Sequence, residues 1–369
     1  MMGLEWVVAV RAAVPSPRPQ AWQALQQAVG LARSGQRAVH FVADAGLPGA
    51  VPADPASWLG AELPAALVLH QGRRWRSPPT AGLLFRYLLS RLVSRQRVLL
   101  CRDPRVAAAQ AGWARQRWAA VVMEWHVQPQ PQLRSHRLAL KRADLHLTPA
   151  PGLLEDLHSA GVSPERTRLV PNACGLDRVR ASRRAAREAQ PGGPVLAMGL
   201  HRRDGLELAL STWQRYPQLP ELWIAGRDQG SLRYHAWMRR IETTPGLRSR
   251  IKLLGPCWGA EREDLLDQVS SWLCLYPEDL VTRTRLCPLQ VMDAAGSGLP
   301  IVCSELDSVR WALGDHPALT VQDSESLAAA VLAVQAGARP KPEQALIRPR
   351  WEDRGQELRS LVTSAWRAA

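Results

Sequence analysis

Lysine is almost missing from this chain. Lys141, Lys252 and Lys341 are the three present, so nearly all of the 47 basic residues are arginine. No apolar run approaches the roughly 20 residues that cross a bilayer. The opening run LEWVVAV is too short for a secretory signal, and no basic segment precedes it. The six cysteines (Cys101, Cys174, Cys257, Cys274, Cys287 and Cys303) form no Cys-x-x-Cys pair. Several sit in strand-like runs, which predicts buried thiols in a reducing compartment. The nine histidines include no His-Glu-x-x-His and no Cys/His cluster, so no metal site is predicted. A short-period repeat and a nucleic-acid motif are also missing. These absences lead to the expectation of a globular, cytoplasmic protein.

What is present fits two domains. The chain has 369 residues, 46% of them hydrophobic, which is long for a single core. A net charge of +14 calls for an anionic partner. Arginine forks suit phosphate and carboxylate groups. Phosphorylated small molecules and a membrane surface fit that charge. Nucleic acid is the weakest candidate, because the arginines are spread along the chain.

Read along its length, the sequence alternates strand and helix patterns. LEWVVAV predicts a strand. A helix follows with Trp22, Leu25, Val29 and Ala32 on one face, and AVHFVAD is the next strand. This is a βαβ unit, which implies a parallel sheet. PAALVLH, RVLLCRD and WAAVVMEWH are further strands. The basic, apolar stretch from about Gly82 to Arg97 predicts a helix, either packed on the core with a wet arginine edge or docked on an anionic membrane surface. The charged, Ala/Arg-rich segment 178–194 ends in Gly-Gly-Pro and marks the expected junction between domains. Beyond it VLAMGL, ELWIAG, IKLLG, SWLCLYP and LPIVCS are strands. A final helix begins near Trp351, with Leu358, Leu361 and Val362 as packing residues.

The stretch CPLQVMDAAGSGLPIV, Cys287 to Val302, holds a single acidic residue inside an apolar helix. In doubly wound sheets, ligands bind beyond the carboxyl ends of the strands. SWLCLYP ends at Pro277 and the next helix is predicted to start near Pro288, a favoured first helical position. Asp293 then falls in the second turn, able to face such a crevice, to be solvated, or to pack locally.

Taken in order, the segments of the second half resemble the C-terminal domain of a retaining glycosyltransferase of family 4. TRLVPNACGLD resembles that family's I-P-N-G-V-D segment, and LAMGLHRRDGLELAL its strand and G-R-x-x-x-K-G loop. PELWIAG and IKLLGPC resemble the next two strands. CPLQVMDAAGSGLPIV resembles P-L-K-x-x-E-Y-M-A-A-G-x-P-V-V. The likeness covers about half the chain closely and the N-terminal half more thinly. It implies a GT-B architecture: two Rossmann-like doubly wound domains facing an interdomain cleft. Their expected extents are 1–175 on the acceptor side and 176–350 on the nucleotide-sugar side, with a helix over 351–369 returning to the first.

The resemblance also implies roles. Asp293 would accept hydrogen bonds from the donor ribose, near Pro288 and Leu289. Arg202 and Arg203 would neutralise the donor diphosphate without a metal. Pro256, Cys257 and Trp258 would border the nucleobase. His126, in EWH, resembles the family histidine that reaches the transferred sugar. Glu124 would orient the acceptor or pair with an arginine, and Ser16 is an acceptor-side candidate. The expected reaction moves a sugar, with retention, from a nucleoside diphosphate sugar to a hydroxyl of a glycan or lipid-linked acceptor. No other cofactor is implied. The sequence departs from the family pattern at Leu200, Asp204, Arg285 and Gln290, and in having Asp293 where glutamate is usual. A non-catalytic binding or scaffold protein is therefore the alternative, and a nucleic-acid binder a more remote one.

Overall fold

The computed structural model describes residues 4–16, 19–35, 37–44, 54–71, 78–113, 117–187, 192–199, 205–226, 232–337 and 349–368. The chain forms two units. The first comprises Met1–Ala173 and Pro349–Ala369, the second Cys174–Arg348.

In the first unit the strands are β1 (Glu5–Ala13), β2 (Val39–Asp44), β3 (Leu67–Gln71), β4 (Arg97–Cys101), β5 (Ala120–Glu124), β6 (Leu145–Thr148) and β7 (Thr167–Leu169). Between them run α1 (Pro19–Arg33), α2 (Pro55–Leu59), α3 (Pro78–Arg91), α4 (Pro104–Trp113), α5 (Arg134–Arg142) and α6 (Pro151–Ser159). All seven strands are parallel, in the order β3-β2-β1-β4-β5-β6-β7. Parallel strands are covered on both faces, which is why β1, β4 and β5 read as nearly continuous apolar runs. The order reverses between β1 and β4.

The second unit repeats this plan. Its elements are α7 (Arg178–Ala186), β8 (Val195–Met198), α8 (Leu206–Arg215), β9 (Leu222–Ala225), α9 (Leu232–Thr243), β10 (Ile251–Gly255), α10 (Gly259–Leu266) and β11 (Ser271–Cys274). They continue with α11 (Leu280–Thr284), α12 (Leu289–Ala295), β12 (Ile301–Ser304), α13 (Asp307–Leu313), β13 (Leu319–Val321) and α14 (Ser324–Gln335). Six parallel strands lie in the order β10-β9-β8-β11-β12-β13, with the reversal between β8 and β11. The last helix, α15 (Trp351–Ala368), belongs to the first unit and packs on α1. Trp22, Leu25, Val29 and Ala32 of α1 are all buried, as are Trp351, Leu358 and Val362 of α15.

Two expectations need correction. The helix read over Gly82 to Arg97 is α3, which ends at Arg91; Arg97 opens β4, where its Nε donates to Glu5 Oε2 at 2.6 Å. Phe85 and Leu89 of α3 lie in the core, while Arg86, Tyr87 and Arg91 are exposed. The segment 178–194 is not the junction. Its first half is α7, and α7 is riveted to the second unit by a buried arginine. Arg184 donates from Nε to Ser297 O at 2.7 Å, from Nη1 to Asp267 Oδ1 at 2.8 Å and from Nη2 to Glu263 Oε2 at 2.9 Å. Charged composition resembled a linker because those partners lie some 80 and more positions away. No helix among the described residues is long and apolar enough to cross a membrane.

Candidate functional site

In the second unit the strand reversal places the carboxyl ends of β8 and β11 where doubly wound sheets bind ligands. β8 runs into Gly199, whose φ of +101° suits only glycine, and whose backbone lies 3.1 Å from where a Cβ on Gly226 would stand. The Gly205 N–H donates to Leu275 O at 2.8 Å, just beyond β11. Arg202 and Arg203, together with Leu200 and Asp204, fall between these flanks and lie outside the described residues.

Asp293 is buried on α12, and both of its oxygens are engaged. Oδ1 accepts the Gly175 N–H at 2.8 Å, and Oδ2 accepts Arg262 Nη1 at 2.9 Å. The side chain is thus held by two partners within the second unit. Pro288 is the N-cap of α12, with ψ at 128°, and the first helical residue is Leu289. Both are half-buried. Cys257 and Trp258 follow β10 and are half-buried, with Trp258 capping α10. Burial pushes the Cys257 thiol up to about 11, against a smaller pull from Arg262, so it is protonated at neutral pH. Arg262 sits one turn past Trp258, so α10 ties Asp293 to the Cys257–Trp258 turn. The sequence gives no sign of Arg262, which lies 31 positions from its partner. Arg285, where the family has a glutamate, follows α11 and is half-buried.

The first unit builds a second cluster at the carboxyl ends of β4 and β5. Glu124, the last residue of β5, is 0% exposed. Its Oε2 accepts Arg102 Nε at 3.0 Å, and its Oε1 accepts Arg354 Nη2 at 2.6 Å. Of the two roles expected for Glu124, the structure has it pairing with arginine. His126 Nε2 lies 3.0 Å from Glu124 Oε1. Burial raises the Glu124 carboxyl, but Arg102 and Arg354 outweigh it and hold the group well below the usual range. Burial lowers His126 against the pull of Glu124, so its imidazole is neutral. Arg354 also donates from Nε to Pro171 O at 2.7 Å, fastening α15 to the segment after β7. Ser16 is buried beyond β1. Arg102 follows β4 as His126 follows β5, a positional cue the sequence did carry; Arg354, 230 positions from Glu124, carried none.

Next to this cluster, Trp125 Nε1 donates to His146 Nδ1 at 3.0 Å, which requires that nitrogen to be unprotonated. Burial, and then Arg166, lower His146 to about 4. The unfolded chain takes up this proton near pH 6.5 and the folded one only near 4, so the stabilisation is full above 6.5 and shrinks as the pH falls toward 4. The slope is about 1.4 kcal/mol per pH unit. In denaturant unfolding at pH 7.5, 5.5 and 4.5, His146→Asn is expected to show a visibly shallower pH dependence than wild type. Equal slopes would refute the assignment.

Among the described residues, no three His, Cys, Asp or Glu side chains gather into a set that could hold a metal ion. Residues 194–336, all within the second unit, match the family model described as glycosyl transferases group 1. Across solved structures, the chain is similar to AviGT4, a glycosyltransferase involved in avilamycin A biosynthesis (TM-score 0.64, 14% identity, 99% of each chain). It is similar to Anabaena HepE in complex with UDP-glucose (TM-score 0.59, 13% identity, 99% of this chain and 98% of that one). It is also similar to the α,α-trehalose 6-phosphate synthase of Burkholderia multivorans (TM-score 0.57, 15% identity, 100% of this chain and 95% of that one). No curated protein matches the sequence. The α/β fold, with its parallel sheets of seven and six strands, is that of the GT-B glycosyltransferases.

Proposed function

We propose that the protein is a glycosyltransferase that takes a sugar from a nucleoside diphosphate donor and transfers it, with retention and without a bound metal, to a hydroxyl of a glycan or lipid-linked acceptor. The observation that carries this is the match of residues 194–336 to the glycosyl transferases group 1 family, which spans the strand reversal of the second unit. In this reading the ribose hydroxyls donate to Asp293. Its oxygens each hold one hydrogen bond already, and a carboxylate oxygen accepts more than one. Pro288 and Leu289 flank the ribose, and Cys257 and Trp258 border the base. Arg202 and Arg203 stabilise the charge of the departing diphosphate, which in turn helps to deprotonate the acceptor. His126 contacts the transferred sugar as a neutral donor or acceptor. The complex of Anabaena HepE with UDP-glucose makes that sugar nucleotide the first donor to try.

The test is stabilisation by UDP, GDP, ADP and their common sugar conjugates, followed by turnover. A nucleotide at 100 times its Kd adds about 2.7 kcal/mol to folding stability. One base is expected to stabilise wild type, with the effect lost in Asp293→Asn and in the Arg202/Arg203 double alanine variant. Asparagine is the better probe at 293, because its amide oxygen can still accept a hydrogen bond from Arg262, whereas alanine offers no side-chain acceptor. No response to any nucleotide would sink the donor site. Binding without sugar release or transfer would favour the non-catalytic alternative, which the residues at Arg285, Gln290 and Asp293 motivate.

A further inference from the structure

Among the described residues, Arg184, Arg102 and Arg354 carry guanidinium groups out of water and use them differently. Arg184 engages every nitrogen with a protein acceptor. Arg102, immediately after β4, donates from Nε to Glu124 alone, and its Nη1 and Nη2 are buried with no hydrogen-bond partner. Arg354 is 1% exposed and uses Nε and Nη2, but its Nη1 is likewise buried and unpartnered. Both guanidinium groups converge on the one carboxylate of Glu124. Two fixed positive charges thus share the one carboxylate that both hydrogen-bond, beside a histidine that burial keeps neutral; Glu357, one turn along α15, adds a more distant negative charge near Arg354. Three guanidinium nitrogens are left without an acceptor, out of water. Buried donors without acceptors are costly, more so when charged. The surplus also sits at a place where ligands bind: β4 adjoins β1 at the strand reversal, and Arg102 is the first residue past its carboxyl end.

We propose that Arg102 and Arg354 form an anion site in the first unit that takes a phosphate group. Guanidinium forks match phosphate oxygens in planar pairs, and a phosphate offers enough acceptors for three nitrogens from two directions. A carboxylate, with two oxygens in one plane, would serve one fork and leave the other. The site lies in the unit that does not carry the family match to the nucleotide side. The phosphate is therefore a part of the acceptor, an assignment that rests on the glycosyl-transfer reading above. The acceptor class is then a phosphorylated sugar or a phospholipid head group, which share this chemistry.

The decisive variant is Arg102→Lys, which keeps a positive charge beside Glu124 and removes the fork. Binding of inorganic phosphate and of glycerol 3-phosphate would be measured by calorimetry. Co-sedimentation with phosphatidic acid vesicles in phosphatidylcholine would be measured alongside. Wild type is expected to bind at least one of these, and the lysine variant to bind it about tenfold or more weakly, with its unfolding midpoint and its nucleotide response unchanged. Binding of the soluble phosphates assigns the source to a phosphorylated small molecule; vesicle binding without it assigns a lipid head group. Equal affinity in wild type and variant, or no binding to any of the three, overturns the site. Should the variant fail to fold, wild-type crystals grown with tungstate decide. Anomalous density within hydrogen-bonding distance of Arg102 supports the proposal, and density elsewhere or none refutes it. Phosphate binding in a protein that ignores every nucleotide would leave this site standing and remove the glycosyl-transfer reading. The reverse result removes the site alone.

Discussion

Glu124→Gln is expected to destabilise the folded protein by about 3–5 kcal/mol, the usual cost of removing one member of a buried ion pair. The substitution keeps the shape of the side chain and deletes its charge. Arg102 and Arg354 would then face each other across a neutral amide, with no other carboxylate among the hydrogen bonds of either. Urea unfolding at pH 7 measures the loss. A second signature follows from the depressed Glu124 carboxyl. Its contribution is present above the ordinary carboxylate range and is lost as pH falls below it, because the unfolded state takes up the proton first. Wild type should therefore lose stability on acidification more steeply than the glutamine variant. A Glu124→Gln protein within about 1 kcal/mol of wild type would mean that the cluster is far better solvated than its burial indicates.

Gly30→Ala is the second large effect, a net loss of about 2 kcal/mol, and here even the sign is informative. Gly30 is in the last turn of α1, where alanine is intrinsically better by up to about 1 kcal/mol. Any net loss must come from tertiary contact. A Cβ on Gly30 would overlap the carbonyl of Trp351, and one on Gly355 would come within 2.6 Å of Gly30 O. The two helices touch backbone to backbone, and an added methyl must push α15 away. Overpacking of this kind costs about 1–3 kcal/mol, and tilting α15 also strains the Arg354–Glu124 bond. Denaturant unfolding gives the loss, and faster proteolysis within 351–368 locates it. A variant as stable as wild type, or more so, would show that the helix pair is not held this tightly.

Most strands could be read from the sequence because both faces of a parallel sheet are covered, and β1, β4, β5 and β8 to β12 appear as short apolar runs. β6 escaped notice. It is four residues long, and His146 interrupts its hydrophobic pattern while being itself fully buried against Trp125. α4 and α5 were equally quiet, the first bland in alanine and the second dominated by charge. The site was legible in its parts and not in its pairings. Asp293 announced itself as an acid inside an apolar helix, yet its partners Gly175 and Arg262 are 118 and 31 positions away. Glu124 and His126 stood out at the end of β5, but the arginine that meets Glu124 from α15 lies in a helix whose pattern records only its apolar face. Pairing between distant charges leaves no period in a sequence. It becomes visible only when the sheet brings the strand ends together.

The return of the chain to its first unit has a consequence for how the protein is made. Everything in the second unit, Cys174 to Arg348, is contiguous and leaves the ribosome before Trp351 does. The first unit, though begun earlier, lacks α15 until the second unit has emerged. Throughout that interval the nascent chain holds Glu124 without Arg354 and α1 with its Gly30 face uncovered. Domains emerging from the ribosome ordinarily settle in the order of their synthesis. Here the order is inverted, and the N-terminal unit must wait, incomplete, for a segment that follows the whole second unit.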